Sequence, residues 1–273
     1  MRAFLFILVV VPTGWTFGYL LARLTEGQES VSPAGILLSL GAVLMPALMA
    51  LLLFTRSERR ALLKQVRGSF GALAYLVAVG FPVLVYVAGA VPPLFMAPGS
   101  TSLMPASSTL LLVPQMLPMM LLWGALEEIG WRAFLVPELS RFVSGLEASL
   151  FVGFLWGLWH APQIFFSSLP YDGAFRDRPF LGAALWIGAT VAYGGVLGWL
   201  QLRTGSFVLP ALAHALVNVC GSVFAEGLGD TVSPVWAGTG GLAAIFASAL
   251  LVCFLFTFHR PPDHAKGSRI SYP

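Results

Sequence analysis

Eight stretches of about 20 mostly apolar residues, joined by short connections, make up most of this 273-residue chain. A helix rises about 1.5 Å per residue, so each stretch can cross the roughly 30 Å hydrocarbon core of a bilayer. The stretches run roughly over 3–22, 33–54, 70–90, 108–128, 147–166, 180–201, 206–225 and 240–258. Lipid offers no partner for a free backbone N–H or C=O, so segments of this length cross as helices. Charge agrees: 10% of residues are Asp, Glu, Lys or Arg, against about 25% in a soluble domain. The expectation is an all-α, polytopic membrane helix bundle of about eight transmembrane helices. It forms a single integral-membrane domain over 1–273, with a functional core at about 108–225.

The first stretch reads as a retained span. It is longer than a signal-peptide core of about 7–15 residues, and no small-x-small cleavage pattern precedes Arg23–Ser30. Cys220 and Cys253 both sit in apolar stretches without CxxC spacing, so no disulfide framework is expected.

Lys and Arg concentrate on the cytoplasmic side of membranes. With the N-terminus inside, one face collects Arg2, the Arg56–Arg67 cluster, Arg132, Arg141, Arg203 and the Arg260–Arg269 tail. Only Arg23, Arg176 and Arg178 fall on the other. The expected localisation is a multi-pass membrane protein with both termini cytoplasmic. The basic residues follow the topology and form no soluble patch, so no nucleic-acid partner is expected. The bilayer is the first partner.

Three polar sites interrupt the apolar runs: Glu127–Glu128 with Arg132, then His160, then His214 with Asn218. A charged side chain at a span centre costs about 2.5–3.5 kcal/mol on insertion scales, so such residues are functional candidates. Glu127 and Glu128 are consecutive and point about 100° apart on a helix. Arg132 is four residues after Glu128, the favourable orientation for a helical ion pair. Glu128–Arg132 therefore reads as a supporting pair, and Glu127 as the free carboxylate available as a base. His214 and Asn218 share a helix face and could hold a developing oxyanion. Trp123 precedes Glu127, and Trp156 precedes His160, each by four residues and so on the same helix face. Each polar element alone could be interhelical glue. Cys220, two residues past Asn218, points about 160° away from it and is set aside as a nucleophile.

At these residues the chain resembles the CPBP intramembrane proteases, the CAAX-protease and bacteriocin-processing (Abi) group. The family pattern is E-E-x-x-x-R, F-x-x-x-H and H-x-x-x-N/D on separate helices. It is matched here by Glu127-Glu128-Ile-Gly-Trp-Arg132, by His160 with Trp156 in place of the Phe, and by His214-Ala-Leu-Val-Asn218. The resemblance covers about 120–220. It implies an eight-helix bundle and a CAAX-type intramembrane endopeptidase acting on a hydrophobic or prenylated peptide or protein. Glu127 and His160 would activate water, His214 and Asn218 would form the oxyanion site, and Glu128 with Arg132 would support them. A glutamate-dependent and a metal-dependent mechanism both remain open. Zinc is a possible cofactor, with Glu127, His160 and His214 as its ligands, although no H-E-x-x-H spacing is present. The competing readings are a transporter or proton relay and an inactive scaffold of the same fold. The four working residues are expected to line one polar cavity open toward the cytoplasmic half, with the Glu127 helix running on to about Phe134.

Overall fold

The computed structural model describes residues 1–25, 33–66, 70–96, 107–166, 175, 177–228 and 233–261. Helices account for nearly all of them, and no strand occurs among the described residues. Eight long helices overlie the eight apolar stretches: α1 Arg2–Thr25, α2 Pro33–Leu53, α4 Ala72–Met96, α5 Ser107–Glu128, α7 Gly145–Phe166, α8 Pro179–Thr204, α9 Val208–Leu228 and α10 Leu242–Phe258. Four segments are long and apolar enough to cross a membrane by length and composition: Arg2–Leu24, Pro33–Leu53, Ala72–Met96 and Pro179–Thr204.

Among the described residues, the stretches that follow α2 and α5 are helical as well, the second of them in the semi-polar 133–145 region where a short interfacial helix is expected. The basic stretch after α2 folds as α3 (Arg56–Gln65). Thr55 caps it: its side chain accepts from the Glu58 N–H, and the Glu58 carboxylate accepts from the Thr55 N–H. Beyond α5 the chain does not stop. It continues as a π-helix over Ile129–Leu135 and then as α6, Val136–Leu139. Pro137 accounts for part of this. It has no N–H for the carbonyl of Ala133 and its ring crowds that carbonyl, so the turn before it widens. Gly130 adds a tertiary reason. A methyl group there would lie 2.5 Å from Pro46 Cβ, so only glycine lets α2 approach this closely.

α4 runs past its expected end near residue 90 to Met96, through Pro92 and Pro93. Pro93 cannot donate to the carbonyl of Gly89. That carbonyl instead accepts from the N–H of Gly238, at 3.2 Å. Gly238 has φ 82°, a left-handed value that favours glycine. The turn before α10 is thereby pinned to α4, and Tyr193 on α8 donates to the Thr239 carbonyl in the same turn.

α7 and α8 pack through small residues. Ser149, Gly153 and Gly157 repeat every four residues on one helix, and Thr190, Gly194 and Gly198 on the other. A methyl group on Gly153 would lie 2.5 Å from the Thr190 carbonyl oxygen, and one on Gly194 would lie 2.5 Å from Gly153 Cα. Small-xxx-small seams let membrane helices approach backbone to backbone. This one fixes the depth of His160, which lies one turn beyond Trp156 and Gly157 on α7.

Most of the described basic residues gather at one end of the bundle. Arg2 holds Glu58 at 2.8 and 3.1 Å and Glu138 at 2.5 Å, clasping α1, α3 and α6 together. Ser206 donates to the Gln65 carbonyl and Trp199 to the His259 carbonyl, which brings the ends of α8 and α10 to the same side. Burial alone would push the Glu58 carboxyl up, but hydrogen bonds from Arg2 and Thr55 outweigh it and hold Glu58 below its ordinary value. A carboxylate whose folded pKa is depressed stabilises the fold above its unfolded pKa and loses that contribution as pH falls through the folded value. The expected result is a melting temperature that falls on acidification below about 4.5, with a smaller fall in Glu58→Gln. Parallel curves for the two proteins would refute this role for the clasp.

Candidate active site

Glu127 closes the last turn of α5, and the π-helix begins two residues later. Its carboxylate is 4% exposed. Trp156 Nε1–H on α7 donates to Glu127 Oε2 at 2.7 Å. The sequence suggests neither residue as the other's partner. His160, one turn further along α7, brings Nε2 to 3.8 Å from the same oxygen. That is too long for a direct hydrogen bond but within reach of a shared water. The imidazole is boxed by Trp156, Trp159 and Trp186, with ring centroids 5.6, 4.6 and 5.6 Å away.

Glu128 points elsewhere and is fully buried. Its Oε1 accepts from Arg132 Nη1 at 2.7 Å, the i,i+4 pair legible in the sequence. The same oxygen lies 2.8 Å from His214 Nδ1 on α9, a contact the sequence did not suggest. Arg132 is also fully buried, with its guanidinium 4.5 Å above the Trp156 ring. An ionised Glu128 makes Nδ1 the donor, and Nε2 is then the free ring nitrogen of His214. Asn218, one turn on, lines the same cavity as Glu127, His160 and His214. Gly124 permits this: α5 passes so close to α9 that a methyl group there would lie 3.0 Å from the Ala211 carbonyl oxygen.

The cavity holds about 420 Å³, within the range of small-molecule and peptide side-chain sites. Its walls include Gly14 and Leu21 of α1, Leu38 of α2, Gln163 of α7, Trp186 of α8 and Ser222 of α9. Cys220 is not among the lining residues. These positions occupy the half of the bundle away from Arg2 and α3. The expectation of a cavity open toward the end with the basic residues is therefore corrected: that end is closed. Phe6, Trp131, Phe134 and Leu135 there are at most 1% exposed. Phe6 meets Trp131 and Phe134 at 5.5 and 5.3 Å, and Phe54 meets Phe134 at 5.3 Å. The Glu127 helix does run on, past the expected Phe134 to Leu139, so Glu127 lies inside the bundle; what differs is the buried aromatic layer that fills the basic end beyond it.

The proposed zinc ligands do not form a metal site in this geometry. Among the described residues no three His, Cys, Asp or Glu side chains make a group that could hold a metal ion. Glu127 and His160 approach each other at 3.8 Å, while His214, though its Nε2 is free, joins no such group.

The stretch of sequence that carries these residues is similar to known proteins. Residues 109–220 match the family model described as Type II CAAX prenyl endopeptidase Rce1-like. Over those residues the chain is similar to the CAAX prenyl endopeptidases. A curated relative, CAAX prenyl protease 2 of Methanococcus maripaludis, is 28% identical over 102 residues. The matched stretch spans 37% of this chain and 37% of that relative. With its several long apolar helices, the chain is a multi-pass membrane protein. The family-matched stretch contains all six motif residues, and it ends at Cys220, before Ser222 on the cavity wall. The cavity also takes Gly14 to Leu21 and Leu38 to Val43 from outside it.

Proposed function

We propose that this protein is an intramembrane endopeptidase that hydrolyses a peptide bond in a hydrophobic or prenylated peptide, with a protease core at about 108–225. The observation that carries the reading is the Glu127 carboxylate, buried in a cavity wall, held by Trp156 at 2.7 Å and 3.8 Å from His160. A water between Glu127 and His160 is the nucleophile. Glu127 takes its proton while the oxygen attacks the scissile carbonyl. The carbonyl oxygen becomes an oxyanion held by Asn218 and His214. Nε2 of His214 can donate only if the ring carries its second proton, so this step uses the imidazolium, with Glu128 as counter-ion. The charges then balance inside the apolar bundle: Glu127 and Glu128 against Arg132 and His214. When the tetrahedral intermediate collapses, the C–N bond breaks and Glu127 returns the proton to the leaving amine. No acyl-enzyme forms, so neither Ser nor Cys is needed.

The direct test is cleavage of a panel of hydrophobic and prenylated peptides by the purified protein, with Glu127→Ala beside it. Cleavage that survives in Glu127→Ala, or no cleavage of any peptide by the folded wild type, would sink the reading.

Trp156 is a positioning residue in this scheme. Trp156→Phe keeps a ring beneath Arg132 and beside His214 but removes the N–H to Glu127. A hydrogen bond to a charged group is worth about 1.5–3 kcal/mol. The expected result is kcat lower by about tenfold or more, with KM and melting temperature near wild type. An unchanged kcat would show that the indole N–H does not orient the base.

A further inference from the structure

Two features described separately bear on each other. Most of the described basic residues gather at one end of the bundle, and the cavity that holds Glu127 lies toward the other. From the basic end, Phe6, Trp131, Phe134 and Leu135 block the way with a buried apolar layer. Outside that layer stands the Arg2–Glu58–Glu138 clasp. From the opposite end the cavity walls begin within a turn or so of the helix ends: Leu21 before the end of α1 at Thr25, Gln163 before the end of α7 at Phe166. His160 is six residues from the end of α7, about 9 Å at 1.5 Å per residue. The site thus sits well inside a hydrocarbon layer about 30 Å thick, nearer to the face that lacks the basic cluster. Among the described residues, that face has Arg23 and Arg178 as its basic side chains, against Arg2, Arg56, Arg59, Arg60, Lys64, Arg141, Arg203 and Arg260 on the other.

Lys and Arg in short connections mark the cytoplasmic side. We infer that the site is reached from the non-cytoplasmic side of the membrane, and that its substrate is a hydrophobic peptide presented there. A prenylated tail held at the cytoplasmic leaflet would meet the closed end. The substrate half of this inference rests on the peptidase reading; the side of access does not, because it follows from charge and cavity position alone. The wall chemistry suits an apolar chain: Phe17, Leu21, Leu38, Val43, Met120 and Trp186 all line it.

The test needs no activity. Cys220 and Cys253, the two native cysteines, are replaced by Ala. Single cysteines are then placed at Ser39, on the cavity wall, and at Ser57, on α3 at the basic end. Intact cells receive a membrane-impermeant maleimide. The expected result is that Ser39→Cys is labelled without permeabilisation and is protected when a hydrophobic peptide is added first, while Ser57→Cys is labelled only after permeabilisation. Ser222→Cys, on another helix of the same wall, should follow Ser39→Cys. Labelling of the wall cysteines only after permeabilisation, or from the same side as Ser57→Cys, overturns the inference. So does a wall cysteine that reacts from neither side until the protein is denatured, since no aqueous path then reaches the cavity. Labelling from outside without peptide protection overturns the substrate half and leaves the side of access standing. The peptidase reading fails separately, if cleavage does not depend on Glu127.

Discussion

Glu127→Gln should remove turnover, by about 10³-fold or more, and leave the fold intact. General-base catalysis contributes roughly 10²–10⁴-fold, and in the proposed scheme the same carboxylate also returns the proton to the leaving amine. The amide nearly matches the carboxylate in shape. Its oxygen can still accept from Trp156 Nε1, so the cavity keeps its packing and His160 its neighbours. What is lost is the ability to take a proton. The measurement is kcat on any cleaved peptide, beside the melting temperature in detergent. Glu128→Gln should behave differently. Glu128 Oε1 receives both Arg132 and His214 within 2.8 Å, and all three side chains are buried. Activity retained in Glu127→Gln but abolished in Glu128→Gln without loss of stability would reverse the assignment of the two adjacent acids.

The stability cost of Glu128→Gln is the second large effect. Removing one partner of a buried ion pair leaves a charge uncompensated, at about 3–5 kcal/mol. Here the stranded group is Arg132, whose Nε and Nη2 have no hydrogen-bond partner even in the intact protein. What then remains beside it is the Glu127 charge and the Trp156 face at 4.5 Å, a desolvated cation–π contact worth about 2 kcal/mol. The expected result is a clear drop in melting temperature and yield. The double variant Glu128→Gln, Arg132→Met should recover part of the loss, since it removes the stranded charge as well. If the double variant is as unstable as the single one, the penalty lies in packing and not in charge.

How far the sequence carried can be read residue by residue. The eight long helices were legible because apolar length is a one-dimensional signal. So was Glu128–Arg132, a local pair fixed by helical spacing. His214 on Glu128 and Trp156 on Glu127 were not, because each joins different helices and depends on their relative rotation and depth. Those are set by contacts such as Gly153 on Thr190 and Gly124 on Ala211, which no local pattern announces. Trp156 had been noticed for sharing a helix face with His160. Its partner turned out to lie across the bundle. α3 was missed although its capping residues, Thr55 and Glu58, stand three apart in the sequence; the dense positive charge drew attention to topology instead. The run-on of the Glu127 helix was legible, but the cavity's side was not, because the layer of Phe6, Trp131 and Phe134 joins helices far apart in sequence.

The π-helix carries a consequence for how the site comes into being. A π turn holds one residue more than the α turn it replaces, and a strip of chain left to itself relaxes to the α form. Pro137 loosens this stretch from within, but Pro46 on α2 is the surface against which Gly130 is moulded. The motif that runs from Glu127 to Arg132 is therefore incomplete as an instruction. A fragment beginning at α5 would carry every proposed catalytic residue in its sequence and still lack the template that sets their angles. The packing surface on α2 is thus as much a part of the site as the motif itself.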